Sequence, residues 1–291
     1  MAVVHCGKLA DKILESVVEE VTELKRQGVT PSLAVILIGQ DAASKIYVKK
    51  KVEACLKVGM LSRQFYLPAD ASEEEVLGLI DKLNNDVSVH GILVQLPIPR
   101  SFDKNRVLSA INEFKDVDSF HPSNIGLLAV TSPRFTACTP AGIMELFKDE
   151  KVPLKGAEAV VVGHSNIVGK PIAFSLLNEN ATVTVCHSST RDLAFHTKNA
   201  DILIVAVGKP GLITGDMVKP GAFVVDVGIN RVRLPDGKTK VVGDVDRESV
   251  EKVAGKITPV PGGVGKLTVA MLLKNTVTAA KLWLSESRKR E

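Results

Sequence analysis

The sequence predicts an α/β protein of two domains, an N-terminal α/β domain followed by a Rossmann-like, doubly wound parallel sheet. Three observations carry that expectation. Short runs dominated by Val, Ile and Leu, at 33–39 (LAVILIG), 159–163 (AVVVG) and 201–207 (DILIVAV), have the character of strands buried on both faces of a parallel sheet. Segments with helical apolar spacing alternate with them, as βαβ units with right-handed crossovers require. The pattern then restarts after residue 157 with a glycine-bearing strand-to-helix turn, and 291 residues suffice for two cores.

In order, Leu9, Ile13, Val17, Val21 and Leu24 predict a helix over 7–27, ended by Gly28 and Pro31. The strand 33–39 follows, and Asp41 can cap the next helix, which runs to about Gly59. At about 100° per residue, Ser44, Tyr47 and Lys51 share one narrow sector of that helix, extended by Val48 and Cys55. Lys45, Lys49 and Lys50 point elsewhere. A charge run usually means solvated surface, but this one sets a single lysine beside a phenol and a hydroxyl. A desolvated lysine serves as acid or base, and a tyrosine ring can floor a pocket for a flat ligand. A strand at 63–67 leads to a helix at 72–85, opened by Ser72 and Glu75 as a capping box. A strand at 91–96 carries Gln95 to its C-terminal end, where ligands of parallel sheets gather. Gln95 and the Lys51 helix should therefore face one crevice.

After a helix at 103–112 comes Lys115-Asp116-Val117-Asp118. Its aspartates are either turn formers or partners for the N–H donors of a heterocycle. Thr139 as N-cap and Pro140 at the first helical position open a helix at 138–150, and the domain boundary falls near it. Beyond it, the turn from Gly163 to Pro171 departs from G-x-G-x-x-G because Ser165 stands where the second glycine would be. A helix at 166–178 and strands at 181–186, 201–207 and 222–227 complete half or more of a dinucleotide-binding sheet. Enzymes that read NAD commonly carry an acid about 20 residues past the glycines. Here no acid precedes Asp192, and Ser188, Ser189 and Arg191 suit a 2′-phosphate, unless they simply cap the next helix. Last, Gly262, Gly263 and Gly265 precede an apolar helix at 267–284, exposing backbone N–H groups suited to a carboxamide or anion. The tail 284–291 is expected to fray.

Composition removes several function classes. With 4% aromatic residues and a net charge of +4, the chain lacks the stacking platform or basic stripe of a nucleic-acid binder. The four cysteines lie far apart without CxxC, so neither a metal site nor a disulfide framework is expected, and free thiols suit a reducing compartment. No apolar run reaches membrane-spanning length and no signal peptide is visible. The expected location is cytoplasmic, with a processed organellar form left open.

Six stretches together resemble the methylenetetrahydrofolate dehydrogenase/methenyltetrahydrofolate cyclohydrolase family, the bifunctional FolD-type enzymes, over essentially the whole chain. They are Ser44-x-x-Tyr47-Val48-x-x-Lys51, Gly91 to Pro97 (GILVQLP), Lys115 to Asp118, Cys138-Thr139-Pro140, Val162-Gly163-x-Ser165-x-Ile167-Val168-Gly169-x-Pro171 and Pro259 to Gly265 (PVPGGVG). The resemblance implies a folate-binding catalytic domain at 1–138, joined by a C-terminal helix at 267–291. It implies an NAD(P) domain at 139–266, an active site in the cleft between the two, and a homodimer. It makes Lys51 the catalytic lysine, Gln95 its partner and Tyr47 the ring on the aminobenzoyl group. Ser44, Asp118, Pro261 and Gly262 line the folate site, with Asp118 on the pterin. For the cofactor it implies Gly163, His164, Ser165, Ile167, Val168, Ser188, Ser189, Arg191, Ile229, Gly265 and Thr268.

The implied activity is NAD(P)-dependent oxidation of 5,10-methylenetetrahydrofolate to the methenyl compound and hydrolysis of that to 10-formyltetrahydrofolate, with polyglutamylated folates among the substrates. Three positions depart from the family pattern. His164 replaces an arginine, which leaves NAD open beside the expected NADP. Lys266-Leu267 replaces Pro-Met, and Ser119 replaces a glycine after the second aspartate. Two rival readings are a folate- or dinucleotide-binding regulatory protein without catalysis, and another two-domain NAD(P) dehydrogenase such as a shikimate-type enzyme. The lysine itself argues against the first, and the Tyr47/Lys51 helix with PVPGGVG against the second.

Overall fold

Two parallel sheets organise the chain, one in each of two units, in a computed structural model that describes residues 2–233 and 237–290. One unit comprises Asp11–Cys138 with Val269–Glu291, and the other Met1–Ala10 with Thr139–Thr268.

In the first unit the strand Ser32–Ile38 lies between Leu61–Leu67 and Gly91–Val94, all parallel. Every residue of the central strand is buried, as its uninterrupted apolar run requires. Ala34, Ile36 and Ile38 pack with Val76, Ile80 and Leu83 of the helix Glu73–Asn85 and with Val107 and Leu108. That helix opens on the expected capping box, with Glu75 N–H donating to Ser72 Oγ and Ser72 N–H to Glu75 Oε2.

The helix expected at 103–112 is shorter, Lys104–Ser109, because Asp103 caps it and the chain turns at Ala110. A helix at Pro122–Ala129, capped by His121, was not anticipated from its eight residues. The helix expected to begin after Thr139 spans Cys138–Asp149, so Thr139 lies in its first turn rather than capping it. The C-terminal helix spans Val264–Arg290 and does not fray after Trp283 among the described residues. Lys281 pairs with Glu20 at 2.5 Å and Arg288 donates to Gln27 at 3.0 Å.

Beside Trp283 lies a buried imidazole. His90 Nδ1 accepts from Ser32 N–H at 3.2 Å, and the two rings meet edge to face with centroids 5.4 Å apart. Burial, with the charge of Lys115 adding to it, pushes His90 down from 6.5 to about 4. The unfolded chain therefore takes up a proton that the folded chain refuses across this window. Stability should fall as pH drops from 6.5 towards 4, by at most about 3 kcal/mol. His90→Asn keeps an acceptor for Ser32 without titrating, so its urea midpoint should lose less over the same interval. Equal losses in both proteins would refute this assignment.

In the second unit six parallel strands run in the order Ala2–Val3, Lys256–Ile257, Phe223–Asp226, Ile202–Val205, Glu158–Val162, Thr182–Cys186. From 158–162 the chain moves to one neighbour, 182–186, then returns to the other side at 202–205. The strand order thus reverses between 158–162 and 202–205, the place where open α/β sheets bind ligands. Ala2 and Val3 pair with Lys256 and Ile257, so the strand at the start of the chain forms an edge of this sheet. An antiparallel pair, Asn230–Arg233 with Thr239–Val242, was also unforeseen. Among the described residues no helix is long and apolar enough to cross a membrane.

Candidate active site

Asp41 fixes the start of the helix Ala42–Lys57 by accepting from Ser44 N–H at 2.7 Å. The helical period then sets the faces. Ser44, Val48, Lys51 and Cys55 are buried and Tyr47 half-buried, whereas Lys45, Lys49 and Lys50 are exposed. Lys51, only 9% exposed, donates from Nζ to Gln95 Oε1 at 3.0 Å. Gln95 Nε2 donates in turn to Leu96 O at 2.7 Å, which fixes the oxygen end of its amide towards the lysine. Burial pushes the Asp118 carboxyl up, while the Lys51 ammonium pulls it down. An amine, an amide and a carboxyl from three separate segments therefore act on one another in this unit.

The structure separates the paired aspartates. Asp116 is the turn former: its carboxylate accepts from His121 N–H at 2.7 Å and Asn124 Nδ2 at 2.9 Å, and it is 1% exposed. Asp118 is the one in the field of Lys51.

The nucleotide candidates belong to the other unit. Gly163 has φ +116°, and a Cβ there would lie 2.3 Å from Ala206 O. A Cβ on Gly169 would lie 2.1 Å from Gly163 O. The turn thus folds backbone onto backbone across the point where the strand order reverses, the cradle that a pyrophosphate approaches. The helix begins at Gly169, three residues later than expected, because Ser165 Oγ accepts from Val168 and Gly169 N–H groups and holds 165–168 as a turn.

His164 is exposed and its ring lies 5.0 Å from that of His187 at the end of the next strand. Ser188, Ser189 and Arg191 are exposed beyond it. They do not cap the following helix, since Asp192 accepts from Phe195 N–H at 3.0 Å and takes that role. Ile167 and Val168 are half-buried. Ile229 Cδ1 lies 3.8 Å from where a Gly265 Cβ would stand, and Thr268 Oγ1 meets Thr139 Oγ1 at 2.9 Å. Pro261 and Gly262 are exposed in this same unit, not in the one that holds Lys51. Lys266 Nζ lies 3.1 Å from a Cβ position on Gly7, so its side chain reaches the start of the helix Cys6–Arg26.

Two buried aspartates escaped the sequence reading. Asp244 Oδ2 accepts from Val207 N–H at 2.7 Å and Gly208 N–H at 2.9 Å, and its Oδ1 from Asn230 Nδ2 at 2.8 Å. Asp226 accepts from the N–H groups of Gly228, Asp244 and Val245, and burial nevertheless pushes it up to about 6. Together they tie the loops after strands 202–205 and 223–226. The stretch Gly243-Asp244-Val245-Asp246, next to a hairpin, was the only local hint.

The family described as tetrahydrofolate dehydrogenase/cyclohydrolase, catalytic domain, matches residues 4–118, and its NAD(P)-binding domain matches 137–283. The chain is similar to the bifunctional protein FolD of Bordetella avium, 56% identical over 95% of this chain and 96% of that one. Among solved structures, the bifunctional FolD dehydrogenase/cyclohydrolase of Campylobacter jejuni is 49% identical with a TM-score of 0.92, covering 97% and 99% of the two chains. The methylenetetrahydrofolate dehydrogenase-cyclohydrolase of Trypanosoma brucei, complexed with NADP cofactor and inhibitor, is 39% identical with a TM-score of 0.93, covering 97% and 98%.

Proposed function

The chain belongs to the tetrahydrofolate dehydrogenase/cyclohydrolase family, and from that premise we propose how its residues divide the work. The enzyme oxidises 5,10-methylenetetrahydrofolate to 5,10-methenyltetrahydrofolate and hydrolyses the latter to 10-formyltetrahydrofolate in one-carbon metabolism. The observation that carries the residue assignment is the buried Lys51 amine held 3.0 Å from Gln95 in the field of Asp118.

A methylene carbon between two nitrogens loses hydride to leave a cation that both nitrogens share, so hydride loss needs no protein base. The protein's contribution to that step is position. The nicotinamide, when bound, supplies the hydride acceptor. Gly163, Ser165, Ile167 and Val168 would hold the cofactor along the glycine turn, and Ile229 would do so beside Gly265 and Thr268 of the C-terminal helix.

Hydrolysis asks more of the side chains. Water adds to the methenyl carbon, one carbon–nitrogen bond breaks, and one of the water's protons must reach the departing nitrogen while the other is released. Lys51 carries this proton traffic and Gln95 Oε1 orients its amine. Tyr47 supports the aminobenzoyl ring beside Ser44, Asp118 accepts from pterin N–H donors, and Pro261 and Gly262 complete the folate contacts. An absorbance assay with methylenetetrahydrofolate and each nicotinamide cofactor should show methenyl formation followed by its decay. No methenyl signal with either cofactor would refute the activity.

NADP is the preferred cofactor in this reading. Hydroxyls on Ser188 and Ser189 and the guanidinium of Arg191 favour a 2′-phosphate, and the nearest acid, Asp192, is occupied as a helix cap. His164→Arg should lower the KM for NADP several-fold and leave that for NAD unchanged. Equal shifts for both cofactors would remove His164 from the phosphate end. A homodimer, a cytoplasmic location and polyglutamylated substrates complete the proposal, to be checked by sedimentation, fractionation and KM against glutamate number.

A further inference from the structure

The loop that carries Asp118 is held on both sides by groups with no assigned part in the reaction. Val117 O, immediately before it, accepts from Asn275 Nδ2 at 2.8 Å and from the Cys138 thiol at 3.3 Å. The same Asn275 nitrogen donates its second hydrogen to Thr136 O at 2.9 Å. Ser119, immediately after Asp118, donates from its hydroxyl to Phe135 O at 3.0 Å. Asn275 is 7% exposed and Ser119 3%, so both sets of bonds are shielded from water. The amide of Asn275 therefore bridges residues 117 and 136, and Ser119 bridges 119 and 135. The backbone of Asp118 is thus held between two buried anchors.

Ser119 sharpens the point. Its φ is +59°, the left-handed region that favours glycine. The serine accepts that backbone conformation and gains a buried bond that glycine cannot make.

We propose that Asn275 and Ser119 are positioning residues for Asp118, clamping residues 117–119 to 135–136 so that the carboxylate meets the pterin already oriented. This rests on the reading of Asp118 as the pterin-binding group. A carboxylate fixed beforehand spends less of its binding energy on being ordered when the folate arrives.

Asn275→Leu keeps the shape of the side chain and removes both donated bonds. It should raise the KM for methylenetetrahydrofolate about tenfold, with kcat within a factor of two and the KM for NADP unmoved. Ser119→Gly relieves the left-handed backbone while losing the hydroxyl, so it repeats the test in a protein with no new strain. It should raise the folate KM about three-fold.

The decisive measurement is the pair with Asp118→Asn. If Asn275 acts through Asp118, the double variant Asn275→Leu/Asp118→Asn should have the folate KM of Asp118→Asn alone. Independent, multiplying losses in the double variant would overturn the inference. So would Asn275→Leu and Ser119→Gly variants that bind folate as the parent does. An Asp118→Asn protein with unchanged folate KM would instead overturn the pterin reading itself, and the clamp with it.

Discussion

Lys51→Met should cost hydrolysis of methenyltetrahydrofolate about 10²–10⁴-fold, the range that a single acid–base group supplies. Methionine preserves the unbranched stem that crosses the buried face beside Val48 and Cys55, so the helix should keep its packing. What disappears is the amine that donates to Gln95 Oε1 and the positive charge acting on Asp118. Oxidation should survive far better, because loss of hydride leaves a cation that its own nitrogens stabilise. The signature is a methenyl signal that forms and then persists instead of decaying. Hydrolysis at the parent rate would remove Lys51 from the chemistry. Equal collapse of both activities would show that the lysine holds the folate and does not move the proton.

Asp244→Ala should destabilise the nucleotide-binding unit by about 3 kcal/mol or more, the cost of leaving several buried donors without an acceptor. Three donors lose their partner at once: the N–H groups of Val207 and Gly208 and the side-chain amide of Asn230. Asp244 is 0% exposed, so water cannot readily replace the carboxylate. The loop at 206–208 also packs Ala206 O against Gly163, which couples this loss to the glycine turn. A lower urea midpoint, faster hydrogen exchange at Val207 and Gly208, and a raised KM for NADP are expected together. Asp244→Asn should cost only about 1 kcal/mol, since one oxygen still serves both backbone amides and the Asn230 amide can turn over. Unchanged exchange at Val207 and Gly208 in the alanine variant would refute the role.

The helix that carries Lys51 was legible because its information is local. A cap at Asp41 and a repeat of about 100° per residue place Ser44, Tyr47 and Lys51 on one face whatever lies opposite. The buried strands and the Gly163 turn were legible for a similar reason. Apolar runs report burial on both faces, and glycine reports a backbone approach that side chains forbid. Family motifs added the names of the ligands, which neither periodicity nor spacing contains.

Other features depended on contacts between distant stretches of chain. Nothing in Lys115-Asp116-Val117-Asp118 says which carboxylate will be spent on His121 and Asn124 and which will meet Lys51. Asn275 and Val117 stand 158 positions apart, and Ala2 finds Lys256 only once the sheet is assembled. A hydrogen bond is short-ranged and directional, so its partner is chosen by where the topology delivers a donor. Propensity and pattern act over a few residues and settle the elements. Which polar groups then orient the reacting ones is decided by the assembled fold.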